Sequence, residues 1–139
     1  MSSYIIKQYQ MTSVLIQHLS LNERLSAYKQ NLKNLKNSYR KQNKSIELYL
    51  QQLREVEWDI SRLARDLERV ARLMNERYWA IILNNAERDV ITNVQFSDFE
   101  DRISLSVNYM EDIDWYFTDA KTRLTCHFNE NKENYPTDD

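Results

Sequence analysis

The sequence contains no glycine and only one proline in 139 residues. Average usage would give roughly ten glycines and seven prolines in a chain of this length. Without glycine the chain cannot form the Gly-rich loops that cradle phosphates, the dinucleotide-binding fingerprint, or hairpins that need Gly at positive φ. We therefore expect few turns and long regular elements.

Cysteine and one-sided charge are also nearly absent. The single Cys126 cannot form an internal disulfide, which suits a reducing compartment, and the formal net charge is only -2. Such a balance gives no global bias toward nucleic acid or acidic membranes. Polar residues interrupt the apolar stretches, including the N-terminal segment 1–12, before they reach the about 18 residues of a membrane span. The sequence thus predicts an intracellular chain without a transmembrane segment.

What the sequence does contain is a seven-residue apolar repeat. The spacing of 3 and 4 continues with little interruption and predicts one long coiled-coil helix over residues 13–85. Gln42 is a polar residue in the middle of this repeat, where a buried polar layer would fix register and partner number. The central part of the predicted seam consists of Leu25, Tyr28, Leu32, Leu35, Tyr39, Gln42, Ile46, Tyr49, Leu53, Val56, Ile60, Leu63, Leu67, Val70 and Met74.

A second, shorter helix is predicted over residues 97–127, after a loop at 86–96 that is rich in Asn, Asp and β-branched residues. Ser97 and Glu100 have the spacing of a capping box. The second helix is acidic and residues 62–77 are rich in arginine, so we expect an all-α antiparallel hairpin. The alternative is one unbroken rod in which those arginines pair with acids of the same helix.

Large apolar side chains also lie outside the seam. Trp58 and Trp79 are three heptads apart, which on one helix would place them on one face. Either the second helix covers this face or other subunits dock on it, as Trp, Tyr and Arg are favoured in interfaces. The predicted second interaction face comprises Trp58, Trp79, Tyr78 and Leu83. It favours a hetero-oligomer of coiled-coil subunits over a simple homodimer.

Basic residues accumulate between Glu23 and Glu47, where no acid occurs. The group could bind an acidic filament such as a microtubule, a phosphate backbone or an anionic membrane. The alternative is the ordinary solvated face of a coiled coil. This basic patch comprises Lys29, Lys33, Lys36, Arg40, Lys41 and Lys44.

Residue types for catalysis are sparse. His18 occupies a seam position, and the adjacent Cys126 and His127 point about 100° apart on a helix. The sequence has no Glu-x-x-His, Cys-x-x-Cys or His-x-x-x-His spacing that would support a metal site. We therefore expect no enzyme, no cofactor, no metal and no small-molecule substrate.

The apolar repeat ends after His127, and residues 128–139 are predicted to form a disordered tail. Lys132, Glu133 and Asn134 spell KEN in this tail, with Asn131 before them and Pro136 shortly after. The tripeptide resembles the KEN-box degron that the anaphase-promoting complex recognises at mitotic exit. That resemblance implies cell-cycle-timed degradation, and it requires a segment that a receptor can bind in an extended or turn-like form.

Together these features predict a non-enzymatic coiled-coil subunit of a mitotic assembly at the spindle, centrosome or kinetochore. Its location would be cytoplasmic, cytoskeletal or nuclear. The alternatives are a subunit of a vesicle-tethering complex and a structural coiled coil of a virus or phage, which share the same helical, non-catalytic character.

Overall fold

The computed structural model describes the backbone of residues 3–41, 45–92 and 98–134. Side chains are described for residues 13–123, apart from 15, 42–44 and 93–97. Within these residues the fold is all-helical, with no strand. The four helices are α1 (Ser3–Lys41), α2 (Ile46–Leu73), α3 (Arg77–Thr92) and α4 (Phe99–Asn134).

Successive helices run in opposite directions. Aromatic contacts and ion pairs between α1 and α2 join Tyr39 to Tyr49 and Arg24 to Asp66, an antiparallel order. Between α2 and α3, the Ser61 hydroxyl donates to the Glu87 carbonyl, and the Asn84 amide donates to Glu68. These contacts are antiparallel as well, so the first three helices fold back and forth.

The fourth helix closes the bundle against all three others. Phe99 stacks on Tyr39 and Tyr116 meets His18, so α4 is antiparallel to α1. Arg102 contacts Glu57 within α2, and Arg123 contacts Glu76 just beyond its end, so α4 is parallel to α2. This order gives an up-down-up-down bundle in which α2 and α4 occupy one diagonal. The apolar side chains buried between the helices form one core cluster.

The single helix expected over residues 13–85 is instead divided among α1, α2 and α3. The first break includes Ser45, which has an extended backbone and caps α2, because its side-chain oxygen accepts the Leu48 amide at 3.3 Å. The heptad pattern did not show this break because the apolar spacing is the same on both sides. A repeat that specifies an apolar stripe does not by itself specify whether the helix is continuous.

The second break, at residues 74–76, is a Schellman turn. The Glu76 amide donates to the Ala71 carbonyl at 2.8 Å, and the Asn75 amide donates to the Arg72 carbonyl at 3.0 Å. Asn75 has φ of 57°, the left-handed conformation that glycine usually supplies in this motif. Asn is the residue that best replaces Gly there, since its short polar side chain tolerates that region. The glycine-free chain therefore turns sharply at an asparagine.

The helix boundaries in the C-terminal half also differ from the prediction. Residues 86–92 of the expected loop belong to α3. Asp98 caps α4, because its Oδ1 accepts the Asp101 amide at 2.8 Å, whereas Ser97 of the predicted capping box lies outside the described residues. The helix continues past residue 127 to Asn134.

The predicted hairpin is not what the structure contains. An antiparallel hairpin would place Lys121 and Arg123 near Glu57 and Asp59, but Arg123 instead pairs with Glu76 and Asp119. The acidic helix packs with its chain direction parallel to α2, not antiparallel to it. The reason is the extra reversal at residues 74–76, which inserts α3 and changes the direction in which α4 returns.

The left-handed residue of the turn gives a first prediction. Asn75→Gly should leave the free energy of unfolding unchanged or raise it, because Gly adopts positive φ without steric cost. Asn75→Val should lower it by about 1–2 kcal/mol, because a β-branched residue is strongly disfavoured there. Urea unfolding followed by circular dichroism measures both. Asn22→Val, at an exposed position within α1, is the matched control. Equal losses for the two valine variants would contradict the assignment.

Candidate interaction surface

The predicted seam is used inside the chain itself. Most of its members are buried in the bundle core, Tyr28, Tyr39 and Met74 are partly buried, and Ile46 is 51% exposed. Gln42 lies outside the described residues. On an isolated long helix, this apolar stripe would need another chain to cover it. Here the chain reverses direction, so the stripe of each helix is covered by the other helices of the bundle.

The predicted second interaction face is dispersed. Trp58 lies on α2 and is 47% exposed, whereas Trp79 lies on α3 and donates its Nε1–H to Asp119 of α4 at 2.6 Å. Leu83 is fully buried and Tyr78 is 73% exposed. The expectation of one shared face for the two tryptophans is therefore wrong. The turn at Asn75 interrupts the helix between them and resets its phase.

The described residues of the basic patch are exposed on the second half of α1, and Lys44 lies outside the described residues. The patch borders the acidic helix: Lys29 forms an ion pair with Asp114 of α4. Lys33 and Lys36 line the same shallow groove of about 410 Å³, whose other wall includes Glu111. Part of this positive charge is therefore neutralised within the bundle.

A cluster of polar and aromatic side chains joins α1, α3 and α4. His18 and Tyr116 share a buried hydrogen bond of 3.2 Å, and Trp79 packs edge-to-face on the Tyr116 ring. Burial, and secondarily the charge of Arg123, lowers the pKa of His18. Burial is also the main cause that raises the pKa of Tyr116 above its ordinary value. At neutral pH the cluster holds a neutral imidazole and a protonated phenol, which suits a packing role for both.

A surface that the sequence analysis did not identify lies on the outer side of α2. Its side chains recur at spacings of 4, 4, 3, 4 and 3 residues, which places them along one face of the helix. All of them are classed as exposed. We call this face the arginine stripe, and it consists of Arg54, Trp58, Arg62, Arg65, Arg69 and Arg72.

Three of the six acids of α2 bind neighbouring helices, which leaves arginine as the predominant charge on its outer side. Glu57 receives two hydrogen bonds from Arg102 of α4, at 2.6 and 3.0 Å, and both side chains are buried. Asp66 accepts from Arg24 of α1 at 2.6 Å, and Glu68 accepts from Asn84 of α3 at 2.8 Å. The helix carries 6 acids and 5 arginines, nearly balanced, but the acids just named bind neighbouring helices while the arginines face solvent.

Some of these arginines also contact acids of their own helix. Arg62 lies 3.3 Å from Asp59, Arg69 lies 3.9 Å from Asp66, and Arg72 lies 3.0 Å from Glu68. Each of the three arginine side chains nevertheless remains more than half exposed. Exposed pairs of this kind contribute only about 0–1 kcal/mol, so the guanidinium groups are available to a partner.

The sequence did contain a signal for this surface. Residues 62–77 are rich in arginine, but the predicted hairpin pairs these arginines with the acidic second helix. The 4-4-3-4-3 spacing from Arg54 to Arg72 would have separated these residues from the apolar seam. Which side of α2 faces solvent still depended on the positions of the other three helices.

Other kinds of site receive no support from the described part of the chain. There, no group of three His, Cys, Asp or Glu side chains is arranged to hold a metal ion. None of its helices is sufficiently long and apolar to cross a membrane. Comparisons with protein-family models, with curated proteins and with solved structures find no match for this chain. Its function must therefore be inferred from its own surfaces.

The buried histidine gives a prediction about pH. Because the pKa of His18 is lower in the folded state, the unfolded chain binds a proton first as the pH falls below about 6.5. The stability that His18 contributes is therefore complete above that pH and is lost as the pH falls toward its folded pKa. Chemical denaturation from about pH 8 to about pH 5.5 should show decreasing stability.

His18→Gln should reduce this pH dependence, because glutamine does not titrate. His127→Gln is the control, since it removes the other of the 2 histidines in the sequence. An unchanged pH slope in His18→Gln would show that the buried imidazole is not responsible.

Proposed function

We propose that this protein is a non-catalytic assembly subunit that docks an acidic protein partner on the arginine stripe. The observation that carries the proposal is the outward row of five arginines around the half-exposed Trp58. From Arg54 to Arg72 the row is about 27 Å long at about 1.5 Å per residue. That length suits the side of a helix or a comparable elongated surface.

The composition of the stripe supports a protein interface. Arg and Trp are enriched at interfaces and among the residues that contribute most to binding. The guanidinium group presents several donors in a planar fork that matches a carboxylate. Exposed charges would speed and orient the encounter, while burial of the Trp58 indole would supply affinity.

Within this class, the KEN tripeptide favours a mitotic assembly of the spindle, centrosome or kinetochore. Lys132, Glu133 and Asn134 are the last residues of α4, and their backbone is helical. A receptor that binds them in an extended form would have to unwind only this helix end. Terminal turns open at little free-energy cost. The anaphase-promoting complex remains the proposed reader of this motif.

The docking function is tested by reversing charge on the stripe. Arg65→Glu/Arg69→Glu should weaken partner binding by at least about tenfold, because like charges would replace favourable ones across the interface. The measurement is quantitative affinity purification of the tagged protein after cross-linking in its own cells. The mass of each recovered assembly is determined as well.

Lys33→Glu/Lys36→Glu is the matched control, since it makes the same change of charge on the exposed face of α1. Partners that require the stripe should remain bound to this control. If both variants lose the same partners to the same extent, total charge is responsible and the stripe is not a docking site.

The degron is tested separately. Replacing Lys132, Glu133 and Asn134 with alanine should prolong the half-life of the tagged protein at mitotic exit in synchronised eukaryotic cells, because the receptor would lose the side chains that it recognises. Alanine at Asn129, Glu130 and Asn131 is the control, because it changes the adjacent tripeptide of the same helix end. Unchanged turnover of the KEN variant would contradict the degron proposal.

A further inference from the structure

The outer side of α4 carries a surface of the opposite charge. Trp115 is 67% exposed there, and four exposed carboxylates lie on the same face of α4 or beside it. Asp114 and Asp119 of the same helix are already bound, by Lys29 and by Trp79 and Arg123. We call the remaining group the acidic face, and it consists of Glu100, Asp101, Glu111, Asp112 and Trp115.

The acidic face and the arginine stripe resemble each other in size and composition. From Glu100 to Trp115 the acidic face is about 23 Å long, against about 27 Å for the stripe. Each surface contains one exposed tryptophan and charges that are mainly of one sign. Burial, and secondarily the charge of the neighbouring Glu111, raises the pKa of Asp112, so these two carboxylates repel each other. Arginines facing them would relieve that repulsion.

The two surfaces cannot meet within one molecule. Helices α2 and α4 lie on one diagonal of the bundle, where Glu57 and Arg102 join their inner sides. Their outer sides therefore point in opposite directions. A rigid bundle with complementary surfaces on opposite sides can satisfy both only by contacting further molecules.

We propose that copies of this protein associate head to tail, with the arginine stripe of one copy bound to the acidic face of the next. The inference rests on the proposed role of the stripe as a docking surface, and it names the partner as a second copy of the chain. The stripe and the acidic face have opposite charge and similar length, and both belong to the same chain. This complementarity favours a second copy of the chain over an unrelated polyanion as the occupant of the stripe. Such an interface uses different surfaces on its two sides, so association continues into an open row or closes into a ring.

The experiment uses two charge-reversed full-length variants, Arg65→Glu/Arg69→Glu and Glu111→Lys/Asp112→Lys. Sedimentation velocity over a range of concentrations should show self-association of the unmodified chain. Its association constant should fall as salt rises from about 0.1 M to about 1 M, because the screening length shortens from about 10 Å to about 3 Å. Each variant alone should remain monomeric, because the two reversed charges remove most of the complementarity between its stripe and its acidic face.

An equimolar mixture of the two variants should associate again. The first variant retains the native acidic face and the second retains the native stripe, so one unmodified interface forms between them. This recovery cannot result from misfolding of either variant. A control variant with the same change of charge as the second, Glu23→Lys/Asp89→Lys, lies at exposed positions outside both surfaces and should associate as the unmodified chain does.

A monomeric unmodified chain at every concentration, or a mixture that fails to associate, would overturn the head-to-tail interface. If the chain is monomeric but Arg65→Glu/Arg69→Glu still loses cellular partners, the stripe binds a different acidic protein. In that case the proposed function stands and the copy-to-copy interface is wrong. If binding to heparin alone depends on the stripe, its occupant is a polyanion and both proposals fail.

Discussion

The ion pair between Glu57 and Arg102 is the contact on which the arrangement of the bundle most depends. It joins the diagonal helices α2 and α4 through two hydrogen bonds, and the side chains are 2% and 9% exposed. Burying two charges is costly, and paired hydrogen bonds offset that cost only in one geometry. The pair therefore fixes the rotation and register of both helices. Once it is formed, the arginines of α2 and the free carboxylates of α4 must face outward.

The second constraint is the absence of glycine. A chain with few turns would ordinarily form long helices that need partner chains to cover their apolar stripes. Asn75 adopts the left-handed conformation in which the chain reverses between α2 and α3, so these two helices cover each other's apolar side chains. The reversal makes α3 the third helix of the bundle, antiparallel to α2, and it changes the direction in which α4 returns. This reversal and the one between α1 and α2 together separate an intramolecular bundle from an extended rod.

Particular residues show how much of this could be predicted. The positions from Leu53 to Val70 that the repeat marked as apolar are buried, because period alone determines which side of a helix is apolar. The location of Trp58 and Trp79 on different helices could not be predicted in the same way, because it depends on a turn that contains neither Gly nor Pro. The distinction between Asp66, which binds Arg24, and the exposed Arg65 beside it required the positions of the neighbouring helices.

By itself, the sequence determined that the chain is helical and that its helices carry continuous apolar stripes, because local propensity and spacing act within each helix. It also determined that arginine and acid are concentrated in different segments. Only the tertiary structure decided that the stripes cover one another and that one charged surface lies opposite the other. The physical reason is that an apolar stripe has no preferred partner until the turns and a buried ion pair fix the direction and rotation of each helix.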